Sequence, residues 1–416
     1  MRRLWIAAAL LAGCLEAPTL DACYSAADCP AAMSCSAGAC GPPIEPPGDG
    51  ALDATPDAGP PAPRCSVSAH VLLHCAPGDG YAMRAAASRV DGETVALIWQ
   101  GPAVTDTRVA CHRRGEAGVQ ALAEHPVGHI GGEAPAIIAT PTAVLAAWVD
   151  DSSPTARLSV QAHDHGCVAS GEDAHLEAGG FGMLGFAPNG DGAWLGVRYD
   201  LGELFYGLHL TRVGPGLGPD ALPANPDTTA RTFAIAADGA GLAVTWTTYY
   251  DPNRRDEVFA GRRALGIARR TPVIETEAES VRVDGLAEIA GGFAIAWRRS
   301  DGSQTERKLS VLRLDGDPRV DRSVAVFTEP PDTTPGTLAA DPALGRVALA
   351  AETGGEVKLW LVHPYSDEID AVAIGPGEYP AVVTLGPGLY GVAYGHRANR
   401  EGCLKWAEVA CDLPAD

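Results

Sequence analysis

Two imidazoles two positions apart, His163 and His165 around Asp164, with His175 a short way on, have the types and spacing to begin a metal site. His125 and His129 form a second, looser pair. Asp150 with Asp151, and Asp200 with Glu203, are paired carboxylates of the kind general acid–base chemistry uses, although each pair falls where a hairpin is expected and Asp is ordinary turn chemistry. Tyr249, Tyr250 and Asp251, followed by Arg254 and Arg255, interleave aromatic rings with guanidiniums, a composition suited to contacting a sugar or a peptide. No Gly-rich phosphate loop, Gly-x-Ser-x-Gly elbow or His-Glu-x-x-His pair occurs in the sequence. No cofactor or metal is implied, and no catalytic residue is assigned. The balance of 31 basic against 52 acidic residues, a formal charge of −21, argues against a nucleic-acid partner, which needs a positive face.

The eleven cysteines are more telling. Cys14 ends an apolar stretch, Leu4 to Gly13, that follows Met1-Arg2-Arg3 and is too short to span a bilayer. Cys23, Cys29, Cys35 and Cys40 then crowd into a segment with almost no apolar side chains, where covalent staples must replace a core. Zinc usually shows C-x2-C pairs, and none is present here. Gly41 to Pro63 holds eight prolines, four glycines, four acids and no base, so it cannot bury enough apolar surface to fold and reads as a stalk. The remaining six are Cys65, Cys75, Cys111, Cys167, Cys403 and Cys411.

Beyond residue 65 one unit recurs: a short apolar strand, a turn, a strand ending in a large residue, a polar hairpin and a third strand. The second strands read Val95–Trp99, Val144–Trp148, Trp194–Arg198, Leu242–Trp246, Phe293–Trp297, Val347–Ala351 and Tyr390–Tyr394, ending 43 to 54 residues apart. They are apolar on both faces, as strands covered on both sides must be. No helical period interrupts them. Even spacing of short strands at about 50 residues per unit predicts an all-β chain folded as a seven-bladed β-propeller. Six or eight blades stay open, because the sixth and seventh units are degenerate. The uncharged run Ala134 to Val149 is expected to be two strands joined at Thr140-Pro141-Thr142 rather than a membrane span.

Ser66 to His74 is an apolar-rich strand with no place in the first unit. The seventh unit lacks an outer strand, and this segment would supply it. Cys65 and Cys75 bracket it, while Cys403 and Cys411 bracket the seventh unit's third strand, so the two pairs are expected to crosslink the ends of the domain; local bonds within each pair are the alternative. Cys111 and Cys167 would join adjacent blades.

Two resemblances accompany these readings. Leu11-Ala12-Gly13-Cys14 resembles the bacterial lipobox, and the Cys-x5-Cys-Pro-x4-Cys-x4-Cys module resembles the short Cys-rich motif of myxobacterial-type lipoproteins. The first implies cleavage before Cys14, diacylglycerol on its sulfur and an acylated amino group, hence a lipid anchor in the cell envelope. Leu15 and Glu16 favour the outer membrane. Loss of residues 1–13 would take Arg2 and Arg3 and bring the charge from −21 to −23. Ala237-Asp238-Gly239 through Trp246, with Glu257–Ala260 next, resembles the tryptophan-marked propeller repeats of secreted bacterial proteins, a family defined by architecture that carries no catalytic residues. The expected organisation is a signal peptide at 1–13, a lipidated N-terminus and Cys module at 14–40, a linker at 41–64 and a propeller at 65–416. The expected role is a monomeric, non-catalytic binding or scaffolding module for a protein, peptide or glycan. The alternative is a propeller hydrolase or lyase acting on envelope or extracellular polysaccharide or peptide. Innermost strands such as Pro135–Ala139, Thr232–Ala236 and Pro380–Thr384, which lack ionisable groups, favour the former.

Overall fold

The structure is a computed structural model. It describes residues 34–36, 39–41, 65–77, 83–100, 107–114, 120–128, 134–150, 156–170, 174–178, 181–202, 205–214, 228–248, 256–262, 272–276, 280–315, 317–330, 334–398 and 401–412. The chain divides into a unit at Met1–Gly59 and another at Pro60–Asp416. In the first, Ser34–Ser36 and Ala39–Gly41 form an antiparallel hairpin that places Cys35 opposite Cys40. Cys14, Cys23, Cys29 and residues 42–63 of the stalk lie outside the described residues.

The second unit is seven antiparallel four-stranded sheets in sequence order. The innermost strands are Arg84–Arg89, Ala136–Ala139, Phe181–Asn189, Thr232–Asp238, Ser280–Ile289, Thr337–Asp341 and Glu378–Gly386. Each packs on the next, and the seventh packs on the first. The ring is therefore a seven-bladed β-propeller. Ala134–Val149 resolves into two strands of blade 2, Ala136–Ala139 and Val144–Asp150, and among the described residues no helix is long and apolar enough to cross a membrane.

The double-faced burial of the second strands explains their composition. Val95, Leu97 and Trp99 join Leu385 and Trp406 of blade 7, while Ala96 and Ile98 join Val144, Ala146 and Trp148 of blade 2. A strand turns alternate side chains to opposite faces, so each blade contributes to two cores. Trp246 likewise packs back on Leu208 and Leu210 of blade 3, and Trp297 on Ala243 and Val258 of blade 4. Blade 6 has Ala351 at the position of the marker tryptophan in its second strand, Arg346–Thr353, and there the bulk comes from Trp360 on the third strand, opposite Leu349. In blade 7, Trp406 lies across Gly391, where a Cβ would come within 2.2 Å of the indole. Both degenerate units are thus full blades: blade 6 has moved its large residue to the third strand, and blade 7 keeps Tyr394 on the second and adds Trp406 on the third.

Innermost strands leave one backbone edge without a partner strand. Hydroxyls of the preceding blade satisfy part of it. Ala139 N donates to Ser88 Oγ, Val283 N to Thr232 Oγ1 and Val382 N to Thr337 Oγ1, each at 2.9 Å.

Cys65–Pro77 is the outer strand of blade 7, antiparallel to Glu401–Cys411. Cys65 stands opposite Cys411 and Cys75 opposite Cys403, and both pairs are disulfide-bonded across 346 and 328 residues. The ring is closed by its N-terminal strand and stapled at both ends of it. Cys111 and Cys167 bond blade 1 to blade 2.

Candidate functional site

Because the strands alternate in direction, each blade has two ends of different make-up. The ends of the second strands and the starts of the innermost strands lie at one end. At that end of blade 5 the structure buries four charged side chains. Arg307 is the hub: its Nε donates to Glu329 Oε1 and one terminal nitrogen to Asp284 Oδ2, both at 2.6 Å, and the other nitrogen donates to the carbonyl of Thr334. Arg298 Nε lies 3.3 Å from Asp284 Oδ1, and Arg298 also donates to the Thr334 carbonyl at 3.1 Å. Side-chain accessibilities run from 0% for Glu329 to 8% for Arg298. Burial pushes the Arg298 guanidinium below its ordinary pKa, opposed by the Asp284 carboxylate.

Two guanidiniums against two carboxylates leave the cluster neutral, the condition under which buried ions are tolerable. The guanidinium donors converge on the two carboxylates and on the Thr334 carbonyl just before blade 6. The arrangement is a clamp between two blades, with nothing accessible enough to touch a substrate. Sequence reasoning missed it. The strand Ser280–Ile289 carries Arg282, Asp284 and Glu288, so the innermost strands are less uniformly apolar than three of them suggest. Asp284-Gly285 resembles a turn but sits in a bulge of that strand, where Gly285 is needed because a Cβ would lie 2.8 Å from Leu338 Cβ. The available signal was Arg298 following the marker Trp297.

A second polar group lies at the same end, on the seam between blades 7 and 1. The Arg84 guanidinium sits 4.7 Å from the centre of the Tyr379 ring. Beside it Arg397 donates to Glu378 at 2.8 Å, the pair being 50% and 25% exposed. His396 Nδ1 lies 3.0 Å from the carbonyl of Pro376. This group is half-buried rather than sealed, and it is the candidate site.

Of the residues expected from sequence, Tyr249, Tyr250, Asp251, Arg254 and Arg255 lie outside the described residues, as do His129, Asp151 and Glu203. The histidines near residue 163 are not gathered into one site. His163 is buried at the end of its strand with Nδ1 3.3 Å from Cys167 O, His165 is in the turn with Nε2 2.9 Å from Thr140 O, and His175 Nδ1 is 3.0 Å from Ser159 Oγ. Asp164 is a turn residue, accepting from the amides of Gly166 and Val168. At the opposite end of the ring, Asp238 takes two hydrogen bonds from Arg262, at 2.7 and 2.6 Å, which hold its carboxyl below the ordinary range. There too Arg114 reaches Glu408 through two nitrogens, at 2.7 and 2.9 Å, tying blade 1 to blade 7.

No protein-family model matches the sequence, and no curated protein matches it. Among solved structures, a protein of unknown function from Dyadobacter fermentans is similar with a TM-score of 0.50 at 13% identity, covering 84% of this chain and 99% of its own. Hydrazine synthase of Kuenenia stuttgartiensis has a TM-score of 0.47 at 12% identity, over 81% of this chain and 97% of that one. TolB from Acinetobacter baumannii has 0.41 at 13%, over 75% and 78%. At such identities the likeness concerns the fold alone. The seven sheets and their closing pair of strands themselves define the class, a seven-bladed β-propeller closed by an N-terminal strand.

Proposed function

We propose that this chain is a lipid-anchored, extracytoplasmic lipoprotein of the bacterial envelope, whose propeller serves as a non-catalytic binding or scaffolding module for a protein, peptide or glycan. The observation that carries the reading is the pairing of all six propeller cysteines in three disulfides, bonds that persist in oxidising compartments and are rare in the cytosol. The lipobox ending at Cys14 supplies the anchor, and several acyl chains hold a protein on a membrane far better than one. A mature body of negative charge gains nothing from anionic lipid, so the acyl chains would do the holding, with the outer membrane as the expected address. The non-catalytic part is supported by the buried charges of blade 5, which are spent on one another.

Metabolic labelling with an alkyne-tagged fatty acid, with membrane fractionation of the parent and of Cys14→Ala, tests the anchor. Label and membrane association should both be lost in the variant; a variant that stays in the membrane fraction refutes the anchor. Turnover of a glycan or peptide by the purified chain, abolished by changing one acidic residue, would refute the non-catalytic reading.

A further inference from the structure

We infer that the seam between blades 7 and 1 is a glycan-binding site, with Tyr379 as the platform for an uncharged pyranose ring. The inference rests on the proposal that the propeller is a binding module, and gives that module a place and a ligand class.

Tyr379 has φ +51°, a left-handed conformation that a bulky residue adopts at a cost. It also precedes Pro380, whose ring pushes the residue before it toward extended backbone. Tyr379 is therefore held against two local preferences. The surroundings show how. Between Glu378 and Ala381 the register with the neighbouring strand shifts, so Tyr379 sits in a bulge. Before it, Gly377 packs so tightly that a Cβ would lie 2.4 Å from the Tyr394 ring and 2.7 Å from the Gly395 carbonyl. After it, Thr337 donates to the Pro380 carbonyl at 3.1 Å and accepts from Val382 N at 2.9 Å. Strain persists where the surroundings over-determine it, and bulges re-aim side chains at such places.

The result is to lay the phenol ring across the blade seam against the Arg84 guanidinium. The neighbouring groups state the ligand chemistry. Glu378 and Arg397 present a carboxylate and a guanidinium side by side, half-exposed and charge-balanced. Vicinal hydroxyls match that pair, one donating to the carboxylate and the next accepting from the guanidinium. A sugar's C–H face would stack on the ring face turned away from Arg84 while its hydroxyl edge meets the ion pair. A cationic peptide would meet two guanidiniums, Arg84 and Arg397, against one carboxylate.

The test uses the full mature chain with neutral hexasaccharides of glucose, mannose and N-acetylglucosamine as probes, read by calorimetry, with acidic and neutral hexapeptides alongside. Tyr379→Gly removes the ring at a position whose backbone suits glycine, so the thermal midpoint should hold while affinity for a bound hexasaccharide falls at least tenfold. Arg397→Ala, at an exposed position, should weaken the same sugar severalfold and serves as the variant if Tyr379→Gly does not fold. Absence of binding to every sugar, or sugar binding indifferent to both variants, overturns the inference. Peptide binding lost in Tyr379→Gly overturns the glycan class while leaving the binding module standing, and a hydrolysed sugar instead refutes the non-catalytic proposal.

Discussion

Replacing Cys65 and Cys411 by alanine removes one of the two bonds on the ring-closing strand. The expected loss is far smaller than the 346-residue span of that bond suggests. With Cys75–Cys403 intact, the unfolded chain is still tied across 328 residues, so the second bond closes only the small ring between the crosslinks. The two spans, 346 and 328, differ by 18 residues, which measures that ring. In the chain-entropy account a ring of that size is worth about 3 kcal/mol, and a first bond across some 330 residues about 6 kcal/mol. Either pair removed alone should therefore cost about 3 kcal/mol, and both together about 9 kcal/mol. The coupling of about 3 kcal/mol arises in the unfolded chain, with no change in native contacts. Urea unfolding under non-reducing conditions, followed by tryptophan fluorescence and extrapolated linearly, gives the three differences. Total stabilities of domains are about 5–15 kcal/mol, so the four-alanine chain would stand at the margin of folding. If that chain lost only twice the single-pair loss, the bonds would be acting through local contacts and the reasoning would fail.

Four further outcomes are expected. Arg307→Met leaves Asp284 and Glu329 buried without their hub and should cost about 3–5 kcal/mol in the same assay, and a loss below about 1 kcal/mol would contradict the clamp. Gly391→Ala drives a methyl into Trp406 and should cost at least about 2 kcal/mol. Gly190→Ala, at φ +60° with open space around it, should cost only about 1 kcal/mol, and equal losses at the two positions would refute the packing argument. Asp238 has its folded-state pKa lowered by Arg262, so its contribution is complete above the unfolded value and is lost as pH falls through the folded one. Asp238→Asn should reduce stability at neutral pH by under about 1 kcal/mol. Its decline below about pH 4 should be shallower than the parent's, and parallel acid profiles would count against the pair.

The ring was legible because a blade buried on both faces must be built from continuous apolar strands, and Trp99, Trp148, Trp246 and Trp297 mark equivalent positions in four of them. The closing strand was legible from cysteines bracketing an apolar segment that had no other use. The other outer strands were not. Arg319–Glu329 carries Arg319, Asp321 and Arg322 on a largely solvated edge, a composition shared with loops, and Thr228–Thr229 is only two residues long. The blade 5 clamp was hidden because charged residues are ordinarily solvated, and only the fold brings Asp284 to Arg307. Tyr379 was hidden for the opposite reason. Its proline neighbour argues for extended backbone, and the left-handed turn there is imposed by Gly377, Thr337 and the bulge, which a linear pattern does not display.

A ring whose closing strand comes from its own beginning has a consequence in time. Residues 65–77 emerge before any blade, yet their partner strand is residues 401–411, so they must wait while six blades are made. For that interval Cys65 and Cys75 are thiols ten residues apart, and in the oxidising compartment proposed above they would be free to form the short bond instead of the two long ones. Blades 1 to 6 can collapse on their neighbours as they appear, but blade 7 and its seams with blades 6 and 1 come last. The interval between the first strand and its partner is therefore the vulnerable period in the life of the molecule, when an unpaired strand and two unpaired thiols coexist. A thiol–disulfide isomerase would have its work at Cys65 and Cys75, and misfolded chains should accumulate the Cys65–Cys75 bond.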